Sequence, residues 1–266
     1  MELDPLGYYR MPLIMGSLGK GEKPRIPYPQ TESVAFQYLT DIDALSSLLP
    51  SCYKPGKEPL VTVFFGYNNG LDFMAGGGYS IAAMQVSASF DGIQDHVEGD
   101  YILVMFENET WPILGGREDL GVPKLYADIS SIKVVNDNTL RCEASLWGHL
   151  LFGVEIPNLK KQNFVTRLGA NKIINSRPWL AYKYIPSLDG PPDADYPTIT
   201  KNDTNIKELW FSNTGNLFFG NAEYSDVGYV KFLIDSLKKL PVIKIKQAIH
   251  FKGSATLRYD LSRRLK

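Results

Sequence analysis

The sequence predicts a mainly β protein with a few short helices. Runs rich in β-branched and aromatic residues recur along most of the chain, and Gly, Pro, Asn or Asp separates them. Helix signals are confined to residues 42–49 and 227–240, and a proline follows each segment. Because strand patterns far outnumber helix patterns, we expect β-sheets to form most of the fold.

The predicted elements begin with an N-terminal arm. Residues 1–32 hold five prolines and are expected to extend over the surface or a neighbouring subunit. Thr40 or Asp41 can cap the first helix. Residues 136–138 predict a turn, and residues 158–177 are predicted to be irregular. The predicted strands are 34–39, 60–65, 81–90, 100–107, 126–135, 139–147, 152–157, 179–185, 206–212, 216–219, 242–251 and 254–261.

Composition and charge argue against several functional classes. Hydrophobic residues make up 44% and charged residues 21% of the 266 residues, which is typical of a soluble globular protein. The net charge of −1 gives no electrostatic reason to bind nucleic acid or an anionic membrane. Cys52 and Cys142 fit neither a metal motif nor a disulfide framework, and His96, His149 and His250 lack the spacing of a metal site. An acidic, proline-broken start and the lack of a long apolar stretch favour the cytoplasm.

The most informative stretch runs from Trp111 to Asp128. It carries the charged pair Arg117 and Glu118 in an apolar setting, and it places Lys124 directly after Pro123. Proline restrains the backbone, and apolar surroundings disfavour the charged form of a lysine. A neutral lysine amine is a nucleophile that forms a Schiff base with a carbonyl compound. The alternative is a surface lysine beside a turn proline.

The motif Gly116-Arg117-Glu118, followed by Pro123-Lys124, resembles the signature of the acetoacetate decarboxylase family. The resemblance extends over nearly the whole chain, through segments such as 40–45, 58–61 and 99–101 near the start and 177–178, 185–190 and 240–242 near the end. It implies curled antiparallel sheets that form a cone or barrel around the active site, in one domain over residues 1–266. It also implies that Lys124 is the Schiff-base nucleophile, that no cofactor or metal is needed, and that the protein is a homo-oligomer.

The chain departs from the family pattern where charged residues support decarboxylation. A second lysine follows the nucleophile in acetoacetate decarboxylase, and Leu125 stands at that position here. The family's catalytic glutamate aligns with Ile81, and its substrate-carboxylate arginine aligns with Thr31. These differences put decarboxylation of acetoacetate in doubt.

Other residues are candidates for the same site. Arg117 could bind a substrate carboxylate or hold the lysine loop with Glu118; the alternative is a structural salt bridge between the two. Glu223 and Tyr224 lie where relatives that act as pyruvate aldolases place an acid/base; the alternative is a helix start that favours an acidic residue. The predicted substrate-binding residues are Gln85, Leu125 and Ile81, although Gln85 could instead be a buried structural amide.

The sequence therefore predicts a Schiff-base carbon–carbon lyase that acts on a small oxo acid other than acetoacetate. The protonated imine would stabilise an enamine, formed either by loss of carbon dioxide or in the aldolase–dehydratase chemistry known among relatives. Two alternatives stay open: a non-catalytic binder of an apolar keto compound, and a cyclase or isomerase. The latter would need a large apolar pocket and no carboxylate-binding arginine.

Overall fold

The protein is represented by a computed structural model that describes residues 2–21, 23–136 and 139–266. These residues form a mainly β structure, as the sequence predicts, with short helices between the strands. The helices are α1 (Ile42–Ser46), α2 (Thr110–Gly115), α3 (Phe164–Ser176), α4 (Tyr224–Val227) and α5 (Val230–Leu237). The strands are β1 (Gly7–Tyr8), β2 (Gly19–Lys20), β3 (Arg25–Leu39), β4 (Tyr53–Pro55), β5 (Leu60–Asn69), β6 (Tyr79–Asp91), β7 (His96–Glu107), β8 (Lys124–Tyr126), β9 (Asp128–Ile129), β10 (Lys133–Val135), β11 (Thr139–Leu146), β12 (His149–Ile156), β13 (Lys160–Lys161), β14 (Trp179–Ile185), β15 (Ala194–Ser212), β16 (Asn216–Phe219) and β17 (Lys244–Arg264).

The larger sheet curls until it closes. Its strands pair in the order β6, β5, β3, β17, β15, β14 and β7, and β7 pairs in turn with β6. The pairings around this ring are antiparallel except for a short parallel contact between β7 and β14. Strand β8 joins β7 in parallel at one end of the ring. The predicted curled sheets around a central space are therefore confirmed.

The main apolar core lies between the outer face of the ring and the smaller sheet, in which β9, β10, β11, β12 and β16 pair. Phe152 on the smaller sheet packs against Phe65 and Phe106 of the ring, with ring centroids 5.8 and 6.1 Å away. Burial of each such side chain contributes about 1.5–3 kcal/mol. The core thus fixes the ring from outside and leaves its inner face free to line a cavity.

Strand β3 shows how one sequence serves both faces. Val34, Phe36 and Tyr38 are fully buried in the outer core, whereas Ser33, Ala35 and Gln37 line the inner cavity. This period of two is the alternation of side chains along a strand. The inner face of the ring is therefore the face that can carry polar chemistry.

The prediction that residues 25–32 belong to an extended arm was wrong, because β3 begins at Arg25. Its first residues, including Pro27, pair with β17, and the pairing with β5 starts only at Gln30. Among the described residues, no strand pairs with the other side of this segment before Gln30, so a proline without an N–H is tolerated there. The arm prediction also covers residues 1 and 22, and the predicted turn at 136–138 covers residues 137 and 138; these four lie outside the described residues.

The prediction of an irregular segment at 158–177 was also wrong. Helix α3 occupies residues Phe164–Ser176, and the Asn163 side chain caps it by accepting a hydrogen bond from the Thr166 N–H, 2.9 Å away. Its apolar residues are divided between solvent and the ring, with Phe164 and Val165 exposed while Ala170 and Ile174 pack inward. This division hides the stripe of apolar positions by which an amphipathic helix is recognised.

Other boundaries differ from prediction for local reasons. The helix predicted at 227–240 is shorter, with α5 at Val230–Leu237, and Gly228, with a φ of +56°, separates it from α4, which ends at Val227. The strands predicted at 242–251 and 254–261 form one long strand, β17, whose pairing shifts register near Gly253. Asp41, rather than Thr40, caps α1. None of the helices in the described ranges has the length and apolar character needed to cross a membrane.

Candidate active site

The lysine loop is built so that the Lys124 side chain passes over a residue with no side chain. Helix α2 continues into one π-helical turn, Gly116–Leu120, and Gly121 ends it with a φ of +75°. A Cβ atom on Gly116 would lie 2.3 Å from Lys124 Cε and 2.7 Å from Nζ. The glycine of the motif is therefore required by the space that Lys124 occupies.

The Lys124 amine is buried and held by two acceptors. The residue is only 7% exposed. Its Nζ donates to Glu107 Oε1 at 2.7 Å and to the Pro112 carbonyl oxygen at 3.0 Å. Strand β8 lies beside β7, with Lys124 opposite Met105 in the register. The Lys124 amine is thus positioned by a helix, a turn and a neighbouring strand.

Glu107 is the acidic partner of the lysine. It is completely buried, and burial raises the pKa of its carboxyl against the opposing effect of the Lys124 charge. Among the described residues, no group hydrogen-bonds to its second oxygen, Oε2. A buried polar atom without a partner is costly, and Oε2 belongs to a residue that lines the cavity. The arrangement can both hold a proton and present an oxygen to a ligand.

Two tyrosines lie on the cavity wall near the lysine. The hydroxyls of Tyr28 and Tyr79 are 3.0 Å apart. Burial raises the pKa of Tyr28 to about 12, and burial together with the Tyr28 and Glu107 charges raises the pKa of Tyr79 well above its ordinary value. Both phenols therefore stay protonated at neutral pH. One hydroxyl proton bonds the other tyrosine, and the second is available to a ligand oxygen.

These groups open into one cavity inside the ring. Its volume is about 790 Å³, near the upper end of the roughly 300–1,000 Å³ typical of small-molecule sites. Apolar side chains such as Met105, Leu120 and Val122 surround the lysine end. Helix α3 contributes Ala170 and Ile174 to the wall. The geometry is that of a cavity lined by an amine and a buried carboxyl.

Comparison with known proteins identifies the family. The model of the acetoacetate decarboxylase family matches residues 10–263. The chain belongs to the acetoacetate decarboxylase family. It is 26% identical to acetoacetate decarboxylase 1 of Bradyrhizobium diazoefficiens, over 94% of this chain and 90% of the relative. It is 27% identical to the acetoacetate decarboxylase of Clostridium botulinum, over 88% and 87% of the two chains.

Solved structures agree with this family assignment at the level of the fold. A solved acetoacetate decarboxylase aligns with a TM-score of 0.75 and 23% identity, over 96% of this chain and 93% of the other. The enduracididine biosynthesis enzyme MppR, complexed with pyruvate, aligns with a TM-score of 0.72 and 16% identity, over 99% and 98%. The shared fold therefore extends over nearly the full length of both proteins.

The acid beside Lys124 lies one strand away from Ile81, the position at which the resemblance predicts the family glutamate. Ile81 is buried and lines the cavity. Glu107 is its direct partner on the neighbouring strand, in the register of β6 and β7. Thr31, the predicted position of the family arginine, also lines the cavity and carries no charge. A carboxyl is thus present near the lysine, although it comes from a different strand.

The predicted substrate-binding residues are divided between cavity and surface. Gln85 and Ile81 line the cavity. Leu125 is 36% exposed and is not among the described residues that line it, because successive side chains of β8 point to opposite faces and Lys124 points inward. The position of the family's second lysine therefore faces away from the cavity in this chain.

Arg117 and Glu118 form no ion pair with each other among the described residues. Arg117 Nη1 instead donates to the Lys124 carbonyl oxygen at 3.0 Å. The Glu118 carbonyl oxygen accepts a hydrogen bond from the Lys183 amine. These contacts hold the backbone of the lysine loop on both sides. Neither residue is among those that line the cavity, so a direct catalytic role for them stays a prediction.

Glu223 and Tyr224 are placed apart from Lys124. Glu223 caps α4 in a capping box with Asp226, and Tyr224 is 51% exposed and packs against Tyr229 and Phe232. Neither is among the described residues that line the cavity. The structure therefore favours the helix-start interpretation for Glu223, and an acid/base role for the two residues stays an untested prediction.

Sequence reasoning missed Glu107, Tyr28 and Tyr79. Glu107 directly follows the run Tyr101 to Phe106, which is largely buried. A charged residue at the end of such a strand was the signal that could have indicated a site residue. Its proximity to Lys124 depends on the parallel pairing of β7 and β8, which no local pattern indicates. Tyr28 was assigned to the arm, so its pairing with Tyr79 could not be foreseen.

Proposed function

We propose that this chain is an imine-forming carbon–carbon lyase in which Lys124 Nζ is the nucleophile and Glu107 transfers protons. The observation that carries the proposal is the buried contact of 2.7 Å between Lys124 Nζ and Glu107 Oε1, two residues that line the cavity. Burial penalises an ion pair. Transfer of one proton along this hydrogen bond converts ammonium and carboxylate into neutral amine and carboxylic acid.

That neutral pair contains both groups that imine formation requires. The amine nitrogen attacks the carbonyl carbon, and a C–N bond forms while the C–O π bond breaks. Glu107 carries one proton from the attacking nitrogen to the oxygen and then donates its own proton, so the oxygen leaves as water while the nitrogen lone pair forms the protonated imine and Glu107 ends as a carboxylate. The protonated phenols of Tyr28 and Tyr79 can donate a hydrogen bond to that oxygen while it carries negative charge.

The protonated imine then serves as an electron sink. When a bond to the adjacent carbon breaks, the leaving group departs as carbon dioxide, as an aldehyde whose hydroxyl proton passes to the Glu107 carboxylate, or as a proton that Glu107 accepts. The electron pair of that bond forms the enamine, and the positive charge on nitrogen is neutralised. Addition of an aldehyde or a proton to the enamine carbon restores the imine. Water then attacks the imine carbon, which releases the ketone product and the free lysine amine.

Aldol-type addition or cleavage is the version that we favour over acetoacetate decarboxylation. The named relatives are acetoacetate decarboxylases, but Leu125 and Thr31 replace two charged residues of the decarboxylase pattern. MppR, which shares the fold, is described in complex with the condensation product of pyruvate and imidazole 4-carboxaldehyde. The Lys124–Glu107 pair supplies the amine and the acid/base that such a condensation uses.

A second candidate is a cyclase or isomerase that uses the same imine on a larger keto compound. The cavity of about 790 Å³ favours it, since a small oxo acid fills only a minor part of that space. A long substrate that carries two carbonyl groups could undergo the aldol step within one molecule. This candidate differs from the first in substrate size and not in the roles of Lys124 and Glu107.

Borohydride trapping tests the proposal. The protein is incubated with pyruvate or acetoacetate, reduced, and digested for peptide mass analysis. We expect an adduct on Lys124, its loss in Lys124→Met, and its retention in Lys133→Met, which removes an exposed lysine. Release of acetone from acetoacetate would identify a decarboxylase. Condensation of pyruvate with imidazole 4-carboxaldehyde would identify an aldolase. A folded protein that binds ketones and gives no adduct would be the non-catalytic binder.

The proposal also includes the domain organisation, the cellular location and the oligomeric state. We infer one domain over residues 1–266, a cytoplasmic location and a homo-oligomer, as the sequence predicts. The family match over residues 10–263 supports the first. Size-exclusion chromatography with light scattering would test the oligomer.

A further inference from the structure

A row of polar side chains crosses the cavity wall away from the lysine. Gln85, Thr62, Gln37 and Gln247 lie side by side on β6, β5, β3 and β17, each opposite the next in the register. All four line the cavity. We call these four residues the amide row. A wall otherwise rich in apolar residues therefore has one continuous band of hydrogen-bonding groups.

The amide row is partly hydrogen-bonded within itself. Gln247 Nε2 donates to Gln37 Oε1 at 3.0 Å, and Gln37 Nε2 donates to Thr62 Oγ1 at 3.1 Å. Each amide nitrogen carries two protons, and each amide oxygen can accept twice. The row therefore keeps donors and acceptors for a ligand, and the internal bonds hold its side chains in one orientation.

The cavity offers no unpaired positive charge among the described residues that line it. Lys124 is paired with Glu107 at 2.7 Å, and Arg177 is paired with Asp100 at 2.7 Å. Lys246 is paired with Glu58 at 3.0 Å. Burial of a substrate carboxylate without a counter-charge is strongly unfavourable. The cavity is thus suited to a ligand without net charge.

The spacing of strands sets the length of such a ligand. Lys124 is opposite Met105, Met105 is opposite Ala83, and Gln85 follows two residues after Ala83. Two strand spacings and two residues along a strand separate Lys124 from Gln85 by roughly 12 Å. Gln37 and Gln247 lie on strands still farther around the ring.

We propose that the substrate is a long, uncharged ketone or aldehyde with a polar oxygen at its far end. Its carbonyl carbon reaches Lys124, its apolar body fills the middle of the cavity, and a hydroxyl or second carbonyl oxygen bonds to the amide row. This substrate class rests on the proposed imine chemistry for its reaction, while its recognition depends on the amide row alone.

Four ketones test the substrate class. Equilibrium binding is measured by calorimetry for acetone, methyl nonyl ketone, and the ω-hydroxy and ω-carboxy derivatives of methyl nonyl ketone. We expect the ω-hydroxy ketone to bind about tenfold more tightly than methyl nonyl ketone, as one to two added hydrogen bonds would give, and acetone to bind weakest. Tightest binding of the ω-carboxy ketone, or equal binding of acetone and the long ketones, would overturn the proposal.

Variants assign the recognition to the amide row. Gln37→Leu and Gln247→Leu should each remove most of the advantage of the ω-hydroxy ketone and leave binding of methyl nonyl ketone within about twofold. Gln94→Leu, on an exposed glutamine, should change neither. Thermal unfolding shows which variants are folded, and one folded amide-row variant is enough for the test. Unchanged preference in a folded amide-row variant would contradict the proposal.

Borohydride trapping separates this inference from the proposed function. Hydroxyl preference that depends on Gln37 or Gln247, without an adduct on Lys124, would keep the ligand class and remove the lyase. An adduct on Lys124 with pyruvate, acetoacetate and acetone alike, without hydroxyl preference, would keep the lyase and remove the ligand class.

Discussion

Glu107 contacts Lys124 from the strand next to the one that holds Ile81, and its Oε1 lies 2.7 Å from the lysine Nζ. A carboxyl therefore lies beside Lys124, although Ile81, the predicted position of the family glutamate, is apolar. Both groups are buried, and burial raises the pKa of the Glu107 carboxyl. The proposed mechanism therefore assigns proton transfer to Glu107.

Substitution of Glu107 by Gln should separate proton transfer from binding. The amide can still accept a hydrogen bond from the lysine, but it cannot transfer a proton. We expect the rate of adduct formation on Lys124 to fall by about 10²–10⁴, the usual contribution of a general acid/base. Glu98→Gln, on the same strand but exposed, should react like wild type. An unchanged rate in Glu107→Gln would remove Glu107 from the mechanism.

Stability should depend on pH through the same carboxyl. Burial raises the pKa of Glu107 in the folded state above its ordinary value of 4.5. Between pH 4.5 and the raised pKa of the folded state, the native protein binds more protons than the unfolded protein. The free energy of unfolding therefore falls as pH rises. Wild type should lose unfolding free energy relative to Glu107→Gln as pH increases from 4.5. Denaturant titrations of both proteins at several pH values measure this, and a difference independent of pH would contradict it.

Gly116→Ala should displace the lysine. The new Cβ would lie 2.3 Å from Lys124 Cε, so the side chain must move. A shift of about 1 Å in a reacting group can cost roughly a hundredfold in rate, and we expect a loss of that order in adduct formation. Gly19→Ala is the matched control, because a Cβ there meets no atom within 4 Å. Adduct formation at the wild-type rate in Gly116→Ala would show that the lysine has other productive positions.

Arg117 should act as a positioning residue. Its substitution by Met removes the hydrogen bond to the Lys124 carbonyl, and we expect a lower maximal rate of adduct formation with little change in the ketone concentration for half-saturation. Arg117→Lys keeps the charge and should restore part of the rate. A large increase in half-saturation for pyruvate and none for acetone would instead indicate that Arg117 binds a carboxylate.

Glu223 and Tyr224 should be dispensable for the chemistry. Since both lie outside the described cavity lining, Glu223→Gln and Tyr224→Phe should form the Lys124 adduct within about twofold of wild type. A loss of adduct formation beyond tenfold in a folded variant would restore them as acid/base candidates.

The sequence predicts the mainly β fold and the lysine loop because both are local signals. Strand alternation shows in single segments, and the Gly116 to Lys124 motif is contiguous. The contact of Glu107 with Lys124 and the amide row are not local signals. Their residues meet only when strands that are far apart in sequence pair. Helix α3 was missed because its apolar residues are divided between solvent and the ring. The start of β3 was missed because its prolines suggested an extended arm, whereas this part of the strand pairs with β17 on one side.

Helix α3 has a consequence for the kinetics of ligand entry. It forms part of the cavity wall, yet none of its residues is fully buried, and it is attached to β15 partly through Asn171 and Asn175, which bond the backbone of Ile206 and Thr204. Segments with so little buried surface open more often than the rest of a domain. We expect amide hydrogens of α3 to exchange faster than those of β3, and a long ketone to slow them. Association would then be limited by the opening of this helix and would be independent of ligand concentration at saturation.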